Sequence, residues 1–128
     1  MEQNDPMASL NSDDRARIDR MFAGCEEVIG VEHVASAIST GTTHSGDGQL
    51  VAYIGLEPSG KAHVAYVLLA DTIRDMLDEG VNVIILLADW HAWVNDKFGR
   101  DMDKIKIAAD YLAETLRLSE FINKKTGE

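Results

Sequence analysis

Between Tyr53 and Tyr66 the chain reads Tyr-Ile-Gly-Leu-Glu-Pro-Ser-Gly-Lys-Ala-His-Val-Ala-Tyr, a turn of Gly, Pro and Ser between an aromatic, β-branched stretch and a helix-forming one. The composition suits a phosphorylated ligand. Small residues let backbone approach phosphate oxygens, a helix amino terminus offers unpaired N–H groups with partial positive charge, and His63 in the first turn adds a donor. The segment carries neither the Gly-x-x-x-x-Gly-Lys-[Ser/Thr] phosphate loop nor the Gly-x-Gly-x-x-Gly dinucleotide fingerprint. A plain strand–helix connection can use the same residues, and the turn by itself does not separate the two readings. Lys61 is a phosphate partner in one and a solvated lysine in the other.

A second group, Asp89-Trp90-His91-Ala92-Trp93, follows a run of aliphatic residues. His91 reads as a ligand contact or as a satisfied structural histidine. Trp90 and Trp93 are expected to pack against the helix that follows. The lone Cys25, beside Glu26 and Glu27, lacks the electropositive setting a reactive thiolate needs and reads as inert.

The elements that must hold these groups follow from periodicity. Leu50–Leu56 has the content of a buried strand and is punctuated sharply by Glu57-Pro58-Ser59-Gly60. A helix over about Ala62–Glu79 turns Leu69, Ile73, Met76 and Leu77 inward, with Gly80 placed as a left-handed cap. Val81–Ala88 is aliphatic without alternation, which predicts a strand covered on both faces. Strand, helix and strand at this spacing form a βαβ unit with parallel strands. Its ligands belong beyond the strands' carboxyl ends, at Leu56–His63 and Asp89–His91.

Upstream, Ser12-Asp13-Asp14 offers capping chemistry for a helix that buries Ile18, Met21, Phe22 and Cys25. Gly30 breaks that pattern, and Val31–Ile38 reads as a second short helix with Val34, Ala37 and Ile38 inward. Downstream, Asp101–Leu118 reads as a helix burying Ile105, Ala109, Leu112 and Leu116. The expected organisation is a flexible leader over 1–11, an α/β domain over 12–118 with an exposed loop at 39–49, and a polar tail over 119–128. Two strands make a marginal sheet, so the chain is expected to be the amino-terminal portion of a larger nucleotide-binding fold.

Composition bounds the function. A formal net charge of −10 disfavours a broad nucleic-acid-binding face, because that affinity comes from Lys and Arg displacing counterions. With 45% hydrophobic residues there is enough apolar content for a core. A single cysteine excludes an internal disulfide and fits a reducing, cytoplasmic setting. The apolar run Val83–Ala88 is far short of a membrane span, and the acidic amino terminus does not resemble a signal peptide, so no membrane partner is expected.

The segment from Tyr53 to Tyr66 resembles the signature turn of class I aminoacyl-tRNA synthetases, and more narrowly of the archaeal and eukaryotic tyrosyl-tRNA synthetases. Those enzymes pair Tyr-x-Gly-x-x-x-(Ser/Thr)-Gly-Lys with a tetrad for which His-Val-Ala-Tyr is a known variant, here His63-Val64-Ala65-Tyr66. Ile85–Trp93 is similar to the family's Leu-Leu-Ala-Asp-Leu-His-Ala-Tyr. Tryptophanyl-tRNA synthetases share the fold, but Tyr53 suits recognition of a phenol better.

The resemblance implies a fold: the amino-terminal half of a Rossmann-like class I synthetase domain, parallel strands with flanking helices, preceded by two short helices. It also implies a site. Tyr53, Ala88 and His91 would contact tyrosine. Gly55, Glu57, Ser59, Gly60, His63 and Ala65 would line ATP, with Mg²⁺ arriving on the nucleotide and no metal held by protein ligands. His63 and Tyr66 would be the catalytic pair, although Tyr66 reads equally as helix packing. The implied partners are tyrosine, ATP and tRNA, with a second chain or a homodimer.

The family's Lys-Met-Ser-Lys-Ser motif and its Tyr-x-x-x-Gln-x-x-Asp helix do not occur in these residues. The expected activity is therefore that of a tyrosine–tRNA ligase carried by a truncated half-site. The alternatives are a non-catalytic ATP- or adenylate-binding paralogue and an interaction module.

Overall fold

The computed structural model describes residues 7, 8, 10–41, 43 and 48–118. Most of the leader, residues 42 and 44–47 of the loop expected at 39–49, and the whole tail from 119 lie outside the described residues. In chain order the elements are α1 (Ser12–Met21), α2 (Val31–Thr40), β1 (Val51–Leu56), α3 (Val64–Asp78), β2 (Asn82–Leu87), α4 (Asp89–Val94), a 3₁₀ turn (Lys97–Arg100) and α5 (Met102–Arg117).

α1 is capped one residue earlier than its acidic start suggests: the Asn11 side chain accepts from the Asp14 amide at 2.8 Å. Asp13 and Asp14 then place negative charge where the helix dipole favours it. Ile18 and Met21 are buried as their spacing requires, and Phe22 is half-buried. Cys25 is exposed, contrary to the inward face expected for it, because α1 stops at Met21 and the helical rotation that would have turned Cys25 inward is not continued.

α1 is tied to the far end of α3. The Arg17 guanidinium donates to the Glu79 carbonyl at 2.7 and 3.2 Å, and Arg20 pairs with the Glu79 carboxylate. A cation on the last carbonyls of a helix satisfies acceptors that have no partner within it and complements the dipole. α2 begins after Gly30 and runs through Thr40, past the expected loop boundary. The Ser39 and Thr40 hydroxyls donate to the Ser36 carbonyl, and Gly41 ends the helix in left-handed backbone.

The centre is the βαβ unit. β1 and β2 pair in parallel from Val51↔Asn82 to Leu56↔Leu87, and α3 connects them. Gly80, at φ 76°, is the left-handed residue that turns the chain out of α3 into β2. Ala70, Ile73 and Leu77 of α3 are buried, whereas Leu69 and Met76 are half-buried. In α5, Ile105, Ala109, Leu112 and Leu116 are all buried, as their spacing predicts.

The strands depart from expectation. Both alternate, and Val51, Tyr53, Ile84 and Leu86 are exposed on one face. The aliphatic run of β2 implied burial on both sides, yet among the described residues nothing covers the face that carries Tyr53. A continuous apolar run therefore marks a strand with two apolar faces without saying whether both are covered.

Ile105 is completely buried. Ile105→Ala should cost about 2–5 kcal/mol of stability, read by urea denaturation, whereas Cys25→Ser at its exposed position should stay within about 0.5 kcal/mol.

Candidate active site at the carboxyl ends of the strands

The ladder extends one bond beyond β2: the Ala88 amide donates to the Leu56 carbonyl at 2.8 Å. That bond sets the turn after β1 beside the start of α4. Pro58 is fully buried and pins the turn, while Ser59, Gly60 and Lys61 are exposed. The turn is thus anchored at its middle and open where small residues were expected to meet a ligand.

Glu57 is the polar centre of this region. Asn95 Nδ2 donates to Glu57 Oε2 at 2.5 Å, Lys97 Nζ lies 3.3 Å from Oε1, and His91 Nε2 lies 3.7 Å from Oε2. The Asn95 hydrogen bond, helped by Lys97 and His91, holds the carboxyl below the ordinary glutamate range and outweighs the opposing effect of desolvation.

Tyr53 and Gly55 share the open face of β1, as the two-residue strand period dictates. Tyr53 is 63% exposed, and its hydroxyl has no hydrogen-bond partner among the described residues. A Cβ built on Gly55 would sit 3.7 Å from that hydroxyl, an ordinary contact, so the chain's own packing does not demand glycine here.

His63 caps α3 with its backbone while its side chain makes no capping bond. The Tyr66 amide donates to the His63 carbonyl at 2.9 Å, and the two rings meet edge-on at 5.1 Å between centroids. Ala65 is exposed in the same first turn. His63 and Tyr66 line a cavity of about 490 Å³ between α3 and α5. Gly60 and Lys61 line a separate one of about 660 Å³ beside Phe98 and Tyr111. Tyr111 borders both, so the two halves of the signature turn open onto adjoining spaces.

The structure therefore brings Glu57 to Ala88 and His91, His63 to Tyr66, and Tyr53 to Gly55. The tryptophans are not both packed as expected. Trp90 is 69% exposed and meets Trp93 edge-on, and Trp93 is half-buried beneath the Arg100 guanidinium, 5.5 Å from its ring centroid. Asp89 accepts from the Trp90 amide at 2.8 Å, so its side chain organises the start of α4. Among the described residues no group of three or more His, Cys, Asp or Glu side chains is arranged to hold a metal ion.

Residues 45–126 match the family described as tRNA synthetases class I (W and Y). The chain belongs to that family. It is 36% identical to the tyrosine–tRNA ligase of Saccharolobus solfataricus over 101 residues, which are 79% of this chain and 26% of that protein. It is 48% identical to the tyrosine–tRNA ligase of Sulfurisphaera tokodaii over 68 residues, 53% of this chain and 19% of the other. The crystal structure of tyrosyl-tRNA synthetase from Aeropyrum pernix superposes with a TM-score of 0.71 at 31% identity, covering 82% of this chain and 30% of that one. The chain thus spans about a quarter of the length of these tyrosine–tRNA ligases. Its parallel strands and flanking helices are a portion of the Rossmann-like synthetase domain.

Two residues of the site, Asn95 and Lys97, carry no recognisable motif. The available signal was the polar Asn-Asp-Lys step directly after Trp93-Val94, but its partner Glu57 is 38 residues away in sequence. Between and after them Asp96, Phe98 and Arg100 all adopt left-handed backbone, at φ 58°, 52° and 61°. Such conformations cost of order 1–3 kcal/mol each in a residue with a side chain. An Arg100–Asp96 ion pair at 3.6 Å and the Arg100–Trp93 contact hold the segment in place.

The lowered pKa of Glu57 makes the sign of its pH dependence definite. A carboxyl that binds its proton less readily when folded adds stability that is fully present above its unfolded pKa, about 4.3. That stability is lost as pH falls through the lower folded value. Thermal melts from pH 7 to pH 3 should therefore show a steeper acid decline in the native chain than in Glu57→Gln.

Proposed function

We propose that this chain carries the tyrosine- and ATP-binding part of a tyrosine–tRNA ligase and works in the cytoplasm. The observation that carries the reading is Tyr53, whose hydroxyl stands free on the open face of the strand that leads into the turn carrying Glu57 and His63. The relatives named above, all tyrosine-specific by name, support it.

In this reading the Tyr53 hydroxyl hydrogen-bonds the phenol of the substrate, and Ala88 and His91 line the space beside it. Gly55, Ser59, Gly60 and Ala65 let the nucleotide pass close to the backbone, with Glu57 as a fixed acceptor. His63 donates to the ATP phosphates, and Tyr66 holds the His63 ring from its edge. The tyrosine carboxylate attacks the α-phosphorus, the bond to the bridging oxygen breaks, and pyrophosphate leaves with that oxygen. The tyrosyl group then passes to a terminal ribose hydroxyl of tRNA, and AMP is released.

These residues act by positioning and by stabilising developing phosphate charge, without a covalent bond to the protein. Mg²⁺ accompanies ATP and shields its phosphates. The tRNA, and pairing with a second chain or a second copy, belong to the same proposal.

Tyrosine-dependent ATP–pyrophosphate exchange on the purified chain tests the reading. Exchange should require tyrosine and should fall roughly 10²- to 10³-fold in His63→Ala, the loss typical of removing one charge-stabilising donor. Tyr53→Phe should relax discrimination against phenylalanine. Binding of tyrosine and ATP without exchange would make the chain a binding paralogue, and a folded chain that binds neither would overturn the proposal.

A further inference from the structure

The two strand ends are already joined by the Ala88–Leu56 hydrogen bond, so the contacts that Asn95 and Lys97 make to Glu57 are not needed to hold the strands in register. What those contacts add is the orientation and charge of one carboxylate. Each Glu57 oxygen has its own partner, Asn95 on Oε2 and Lys97 near Oε1, which fixes the plane of the group. An ionised carboxylate has about four acceptor positions. Two are used by these partners, and others stay open to donors from a ligand at the carboxyl ends of the strands.

The backbone explains how residues two apart reach the same target. Asn95 ends α4, and left-handed Asp96 turns the chain so that Lys97 returns to the same side. The strain at Asp96, Phe98 and Arg100 is thereby spent at the segment that aims Glu57. We infer that Asn95 and Lys97 are positioning residues, which act from the end of α4 and the 3₁₀ turn after it to aim the Glu57 carboxylate at the ligand received by the turn after β1. The inference rests on the proposed tyrosine and ATP site.

The groups facing Glu57 are Asn95, Lys97 and His91, and their effects can be separated. A carbon-detected NMR titration of the Glu57 carboxyl in the full chain should give a midpoint below the ordinary glutamate range. Asn95→Ala and Lys97→Met should each move it upward, Lys97→Arg should restore it, and His91→Ala should change it less than Asn95→Ala does. The same variants are then assayed for binding a non-hydrolysable tyrosyl sulfamoyl adenosine. Asn95→Ala and Lys97→Met should each weaken binding roughly tenfold, as expected for a displaced contact group. Glu57→Gln should add little further loss in either background, whereas Tyr53→Phe should still add its own.

An unmoved Glu57 midpoint in both variants would overturn the inference, and so would losses that simply add to that of Glu57→Gln. If the unaltered chain does not bind the adenosine compound, the proposed function fails, and the titration still decides whether Asn95 and Lys97 hold Glu57. Lys97 is 40% exposed, so Lys97→Met remains informative if Asn95→Ala does not fold.

Discussion

The parallel pairing of β1 with β2 is the constraint on which the rest of the molecule depends. Its register, from Val51↔Asn82 to Leu56↔Leu87, decides which residues stand side by side at the carboxyl ends. The bond from the Ala88 amide to the Leu56 carbonyl carries that alignment out of the strands and into the turns. A shift of one residue would turn Tyr53 away from the open face and take Glu57 out of reach of α4, because side chains alternate along a strand. Ordering two strands that are far apart in sequence is entropically costly. α3, with Ala70, Ile73 and Leu77 buried, supplies the apolar contact that offsets it.

Charge is used locally in a chain that is strongly acidic overall. Among the described residues two glutamates at element ends gather long-range polar contacts: Glu79 takes Arg17 on its backbone carbonyl and Arg20 on its carboxylate, and Glu57 takes Asn95, Lys97 and His91 from beyond β2. The first contact docks a helix and carries no candidate ligand. The second lies where α/β sheets receive ligands. Arg17, Arg20 and Lys97 are thereby each committed to one particular glutamate.

The open face of the sheet gives the site its character. Tyr53, Ile84 and Leu86 line one side of the strands without a covering layer among the described residues, and Gly55 leaves space above β1. An aromatic hydroxyl on such a face can be both exposed and held in place, since the strand below it is fixed by hydrogen bonds on its paired edge. The left-handed residues Asp96, Phe98, Gly99 and Arg100 shape the segment after α4, where backbone strain is balanced by ionic and aromatic contacts.

Much of this was legible in the residues. The helices of α3 and α5, the left-handed Gly80, the parallel βαβ unit and the turn that opens at Ser59–Gly60 all follow from local periodicity and punctuation, which depend on near neighbours in the chain. The motifs from Tyr53 to Tyr66 and from Ile85 to Trp93 were enough to indicate the family, because their residue types and spacing recur on the same elements. Only the tertiary structure decided the rest. It decided that Cys25 faces solvent, that one face of an aliphatic strand is open, that Trp90 is exposed, and that Glu57 is gripped by Asn95 and Lys97. Each of these depends on which distant segment comes to lie against a residue, and a one-dimensional pattern records the apolar or polar character of a side chain without recording what meets it.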